Sequence, residues 1–194
     1  MSEVMSDTTV FLIVAVVGIA VLVLFYNRIV SGKNAVQRAW SDVIVQERQK
    51  LKVIPELEKI IEDHKAYESG ILEKLTEMRV AVSQLASDQI DTHALKEAEA
   101  MTKSAMSGIR VAMEAYPDLK TAGLMNNLMR EIADQQDNIA AAIRIFNQNV
   151  EAFNNAIETF PGSAVNGMLN KEKRQRSFDD EEAASEISFR PGAE

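Results

Sequence analysis

The sequence predicts an all-α protein: an N-terminal single transmembrane helix, then a long antiparallel up-down four-helix bundle, then a C-terminal tail. Three observations lead there. Thr8 to Asn27 carry no charge, and Val10 to Tyr26 are almost wholly apolar. From Arg28 to Phe160 apolar residues recur every three or four positions, the period of a helix face. The breakers are sparse, with eight Gly and four Pro in 194 residues, too few for the many turns of an all-β chain.

The rest of the composition narrows the function. Cysteine is absent, which excludes a disulfide scaffold, an iron–sulfur protein and a cysteine nucleophile. The chain has 21 Lys+Arg against 29 Asp+Glu, a net charge of −8. That balance opposes nucleic-acid binding, which needs a basic surface.

Residues 1–7 form a short extracytoplasmic N-terminus and 8–27 the membrane helix. About 20 residues at ~1.5 Å each cross the ~30 Å hydrocarbon core. Glu3 and Asp7 precede the stretch, and Arg28, Lys33 and Arg38 follow it. Basic flanks stay cytoplasmic, so the N-terminus is expected outside and the larger part in the cytoplasm. A cleaved signal peptide would have a basic start and a small-residue cleavage site. Here the start is acidic and no Ala-x-Ala-like site follows.

Residues 28–160 supply the bundle. The first helix continues from the membrane to about Lys52 with the stripe Val36, Trp40, Val43/Ile44, Leu51 and Ile54. Pro55 fits the first turn of a second helix, where its missing N–H costs nothing. That helix carries Leu57, Ile61, His64, Glu68, Ile71, Leu75, Met78, Val82 and Leu85, in alternating steps of four and three, the seam of a coiled-coil-like bundle. The third helix, from about His93 to Tyr116, has an alanine-rich stripe: Leu95, Ala98, Met101/Thr102, Ala105, Ile109 and Ala112. The fourth runs from about Leu119 to Phe160. Its stripe, Met125 through Phe160, has one polar step at Gln135 or Gln136. Short connections make consecutive helices antiparallel, so the fourth helix ends back near the membrane.

Residues 161–194 form a charged tail, expected to be flexible. Lys171, Lys173, Arg174 and Arg176 precede Asp179, Asp180, Glu181, Glu182 and Glu186. The alternative to a solvated tail, suggested by the returning topology, is that the basic cluster is a lipid contact on anionic headgroups.

No catalytic constellation emerges. No Gly-rich loop has the Lys-Ser/Thr of a phosphate cradle. Neither His64 nor His93 has a Glu three residues before it, as a di-iron bundle requires. The expectation is therefore no enzyme, no metal and no cofactor. His64 and Glu68, flanked by Tyr67, interrupt the second stripe as a candidate polar core layer, which would fix register. An alternative face through Ile60, His64, Tyr67 and Ile71 leaves Glu68 in solvent. Trp40, the sole tryptophan, suits core packing, with an interface anchor as the alternative.

One run of motifs resembles a known family. Tyr26-Asn27-Arg28 leads into Asn34-Ala35-Val36, then Ala39-Trp40-Ser41-Asp42-Val43 and Ile54-Pro55-Glu56-Leu57. Phe160-Pro161 closes the last helix, and an acidic stretch from Phe178 to Phe189 follows. This pattern is similar to the LemA family of bacterial membrane proteins. The resemblance implies a single-pass inner-membrane protein with a cytoplasmic helical bundle. The expected function is a non-enzymatic scaffold that self-associates at the membrane and organises or shapes it. The expected partners are membrane lipids, further copies of the chain as a homo-oligomer, and an unidentified protein. The alternative is an adaptor or sensor that recruits a protease, a two-component protein or an envelope-stress partner.

Overall fold

The computed structural model describes residues 7–63, 69–116 and 123–178. Helix α1 spans Asp7–Gln49 and tightens into a 3₁₀ turn over Lys50–Lys52. Then come α2 (Ile54–Asp63), α3 (Ser69–Gln84), α4 (Thr92–Ala115) and α5 (Gly123–Glu158). The one-turn helix α6 (Gly162–Val165) runs into a π turn over Asn166–Asn170. The described residues are otherwise turn or extended, with no strand, so the all-α expectation holds.

Local chemistry sets several boundaries. Pro55 sits in the first turn of α2, where no intrahelical donor is lost. Asp91 caps α4, its side chain accepting from the backbone N–H of His93 at 3.1 Å and of Ala94 at 3.0 Å. Tyr116 ends α4 in an extended conformation, as expected of a residue that precedes proline.

The chain divides into two compact units: residues 1–36 with 148–176, and residues 37–147 with 177–194. In the larger unit most described residues of the predicted stripes form the core, although Leu51 is half-buried and Met101 exposed. Trp40, Val43 and Ile44 are buried from α1, Leu57 and Ile61 from α2, and Leu75, Met78 and Val82 from α3. Leu95, Ala98, Ala105, Ile109 and Ala112 are buried from α4, and Met125, Leu128, Ile132, Ile139 and Phe146 from α5. Each large apolar side chain removed from water contributes about 1.5–3 kcal/mol before the entropy of ordering it. Trp40 is wholly buried, its ring 5.4 Å from that of Phe146 at 56°, an inclined aromatic packing.

Side chains of α1 also finish the C-terminal end of α3, where backbone carbonyls lack intrahelical partners. Trp40 Nε1 donates to Ala86 O at 2.9 Å, Gln37 Nε2 to Ser87 O at 2.8 Å, and Arg48 Nη2 to Leu85 O at 2.7 Å. Ser41 Oγ lies 3.0 Å from both Ser87 O and Gln37 O. The Ala39-Trp40-Ser41 motif is thus a packing and capping device.

In the smaller unit α1 changes character along its length. Its large apolar residues from Val10 to Leu24 are exposed, whereas Ile29 and Val36 are buried, as are Val150, Phe153 and Ile157 of α5. Gly32 permits close approach here, since a Cβ built on it would lie 3.3 Å from Phe153 Cδ2. The turn after α5, with a cis Phe160–Pro161 bond, contains the buried Gly162. A Cβ at Gly162 would collide with the carbonyl oxygen of Ala156.

Of the tail expected from residue 161, residues 161–178 are described, and side-chain amides hold their backbone. Asn166 and Asn154 each clamp the backbone N–H and C=O of one residue in the segment that follows the π turn. Asn166 Nδ2 donates to Glu172 O at 3.0 Å and its Oδ1 accepts from Glu172 N at 2.9 Å. Asn154 does the same to Gln175, at 2.9 Å both ways. In the larger unit Asn147 repeats the device on Phe178, at 2.8 Å both ways. Asn147 and Asn154 are seven residues apart on α5, two turns along one face. Charge alone suggested a solvated tail because it does not register these backbone bonds. The acidic stretch from Asp179 lies outside the described residues.

Candidate membrane-proximal site and buried polar layer

Among the described residues one helix, α1, is long and apolar enough to cross a membrane, and none of its most apolar window is buried. That exposure separates it from the core helix of a soluble protein, whose apolar residues are covered by neighbours.

The smaller unit builds a collar at the end of this apolar stretch. A Cβ on Gly162 would lie 3.8 Å from Phe25 Cδ1, and one on Gly32 would touch Phe153. The two contacts define one antiparallel register, in which Phe160 falls at the level of Phe25 and Tyr26. Phe160, expected to close the apolar stripe of the last helix, is instead 86% exposed, the most exposed large apolar side chain described. Met168 and Leu169, in the π turn, are also exposed. Glu172 meets Lys33 at 2.8 Å and Gln175 is clamped by Asn154, which places the basic segment near Gly32 and Lys33. At ~1.5 Å per residue, that is about 10 Å from the level of Phe25.

Lys171, Lys173, Arg174 and Arg176 are all exposed there. Arg174 Nη1 lies 3.6 Å from Glu158 Oε1, and Lys171 takes a left-handed conformation (φ 53°) that ends the π turn. The structure therefore gathers the four cations on an ordered segment. Beyond Asn27 the smaller unit carries six Lys/Arg against three Glu, in a chain whose net charge is −8.

The proposed polar layer of His64, Tyr67 and Glu68 lies outside the described residues. A different layer is present in the larger unit. Glu47 and Lys50 are wholly buried, with Lys50 Nζ 3.0 Å from Glu47 Oε2. Lys50 Nζ also donates to Glu99 Oε1 at 3.0 Å and to the buried Thr102 Oγ1 at 3.4 Å. Gln136 Nε2 donates to Glu99 Oε2 at 2.9 Å. Thr102 Oγ1 itself donates to Ala98 O at 2.9 Å.

Burial pushes the Glu47 carboxyl up to about 8, and the adjoining Glu99 adds to that against the pull of Lys50. For Glu99 burial also acts upward, but a hydrogen bond from Glu47, the Lys50 charge and the Gln136 amide outweigh it and hold the group below its usual range. At neutral pH the layer is then an acid–carboxylate pair beside one ammonium. Both Glu47 oxygens are buried without an aligned donor among the described residues, and a proton on Glu47 turns the carboxyl into a donor toward Glu99. The arrangement can hold a proton and fix register. A one-turn slip would leave buried charges unpaired, at several kcal/mol each.

This layer was missed in the sequence, although its signals were present. Glu47 stands where the α1 stripe calls for an apolar residue, Thr102 interrupts the α4 stripe, and Gln136 is the polar step of α5. The other singled-out residues are ordinary. His93 is exposed, its Nδ1 3.7 Å from Glu97 Oε1. Tyr26, Asn27 and Pro55 are exposed, Ala39 and Trp40 are buried, and Ser41 is half-buried.

The order of motifs through this bundle is matched by the family model described as LemA family, which covers residues 39–189. The chain belongs to the LemA family. The LemA match takes in Ala39, Trp40, Ser41 and Pro55, the buried layer and the basic segment, while Tyr26 and Asn27 precede it. Protein LemA of Metamycoplasma hominis is 29% identical over 134 residues, which is 69% of this chain. The chain spans 60% of the length of that LemA relative.

Proposed function

We propose that this LemA-family chain is a non-enzymatic, single-pass scaffold of a bacterial inner membrane, with its N-terminus outside and its bundle in the cytoplasm. On this reading it self-associates, contacts lipid and organises or shapes the membrane. The observation that carries the proposal is α1 itself. Its exposed apolar stretch continues without a break into the turns that bury Ile29 and Val36. One helix therefore serves as both anchor and packing element, so the collar is held at the bilayer by a continuous hydrogen-bonded backbone. The flanking charges, acidic before and basic after, support the orientation.

The test is the assembly state of the full chain in lipid nanodiscs and in flat bilayers, by mass photometry and electron microscopy. Ordered oligomers of protomers in the bilayer are the expected result. A protein that stays monomeric in both overturns the scaffold reading, and co-purification of a second protein with that monomer favours the adaptor alternative.

A further inference from the structure

We propose that the collar is a second, interfacial attachment to the bilayer, in which Phe160 inserts beside the exit of α1 and the Lys171–Arg176 segment sits on anionic lipid headgroups. The inference rests on the reading of α1 as a membrane span and adds a contact which that reading does not require. Depth, exposed apolar surface and charge support it independently.

The depth follows from the register. Gly162 against Phe25 and Gly32 against Phe153 align the end of α5 with the end of the apolar stretch. Phe160 therefore lies at the level where hydrocarbon gives way to headgroups, the zone that aromatic rings favour. Lys33–Glu172 and Asn154–Gln175 hold the basic segment about 10 Å further out, a headgroup's depth at ~1.5 Å per helical residue. Met168 and Leu169 belong to the stretch of chain that joins these two levels.

The exposed surface has a continuous partner at hand. Past Tyr26, the exposed large apolar residues of this unit are Val30, Phe160, Met168 and Leu169. In water Phe160 at 86% exposure gains nothing from its position. Beside a membrane-spanning helix the same ring adjoins acyl chains already in contact with Phe25.

The charge is complementary to anionic lipid. Six Lys/Arg against three Glu collect beyond Asn27 in this unit of an acidic chain, and each cation near such a surface contributes to attraction that falls off over a Debye length. The segment is also pre-ordered. The Asn166 and Asn154 clamps fix its backbone before lipid arrives, so the ordering cost on contact is small.

The chain has no cysteine, so single cysteines can carry a spin label in the full-length protein. The variants Phe160→Cys, Met168→Cys, Val14→Cys and Val111→Cys would be reconstituted in nanodiscs of anionic or of zwitterionic lipid. Collisions with oxygen and with a water-soluble nickel complex then report depth. The proposal expects the Phe160 and Met168 positions at the interface, with Phe160 about 5–10 Å inside the headgroup boundary, Val14 deeper and Val111 in water. Replacing Lys171, Lys173, Arg174 and Arg176 by Gln should abolish any difference between the two lipids at Met168. If Phe160 and Met168 are as water-accessible as Val111 while Val14 is in lipid, the collar contact is wrong and the anchor stands. If Val14 is in water, the membrane-spanning reading fails and this inference with it.

Discussion

Lys50 Nζ lies 3.0 Å from Glu47 Oε2, and neither side chain has any exposed surface. The pair occupies the end of α1 and the following 3₁₀ turn, with Glu47 where the helical stripe calls for an apolar residue and Lys50 buried beside the half-buried Leu51. Glu99 and Thr102 of α4 and Gln136 of α5 complete the set. The layer makes stability depend on protonation and on partner charges.

The first expected outcome is a loss of stability with rising pH. Glu47 binds its proton more tightly when folded, near 8 against 4.5. The associated stability is full below 4.5 and is lost as pH rises to about 8, with a limiting slope of about 1.4 kcal/mol per pH unit. Glu99 is shifted the opposite way, so its contribution fades only as pH falls below the usual carboxylate range. Glu47→Gln keeps the neutral shape and a donor toward Glu99. Thermal unfolding of that variant should be flatter through the window than wild type, and identical slopes would refute the assignment.

Lys50→Met removes the only cation that this layer places against Glu99. It should destabilise the fold by about 3 kcal/mol in urea titrations near pH 7. The double variant Lys50→Met/Glu99→Gln should recover most of that loss, because no unpaired charge remains. Equal destabilisation by the single and double variants would mean that packing, not charge, explains the cost.

Trp40→Phe keeps an aromatic ring near Phe146 but removes the donor to Ala86 O. A cost of about 1–3 kcal/mol is expected by chemical denaturation followed by circular dichroism, most of it from the unsatisfied carbonyl. No change in midpoint would show that the bond contributes nothing.

The asparagine clamps predict local effects. Asn154→Ala deletes two bonds to Gln175, worth about 2 kcal/mol together. Hydrogen exchange at residues 171–176 should accelerate, while the α4 amides stay protected. Gly162→Ala, whose methyl would strike the Ala156 carbonyl, should loosen the same segment. Unchanged exchange in both variants would dissociate the clamps from the order of the collar.

The helices and their buried faces were legible in the sequence because hydropathy and period are local properties. Leu57, Leu75, Leu95, Ala105, Ile132 and Phe146 are buried as their spacing required. The candidate membrane-spanning stretch was equally legible, since a run without charge is a property of consecutive residues. The candidate site was legible only in part. The basic cluster could be read, but its attachment to α5 could not. Asn147 and Asn154 sit beside an apolar stripe, where an amide is as readily solvated as used.

By itself, the sequence determined the all-α class, the uncharged N-terminal stretch, the stripes and the family. The tertiary structure alone decided which polar residues share an interior. Glu47, Glu99 and Gln136 lie on helices widely separated in sequence, and neither carboxyl is shifted until packing removes the water around it. The tertiary structure also attached residues 161–178, which the sequence shows only as a charge pattern, to α5 and α1 through the Asn154 and Asn147 clamps and the Lys33–Glu172 pair. The reason in both cases is that desolvation and paired hydrogen bonds belong to the contact between segments, and no single segment carries them.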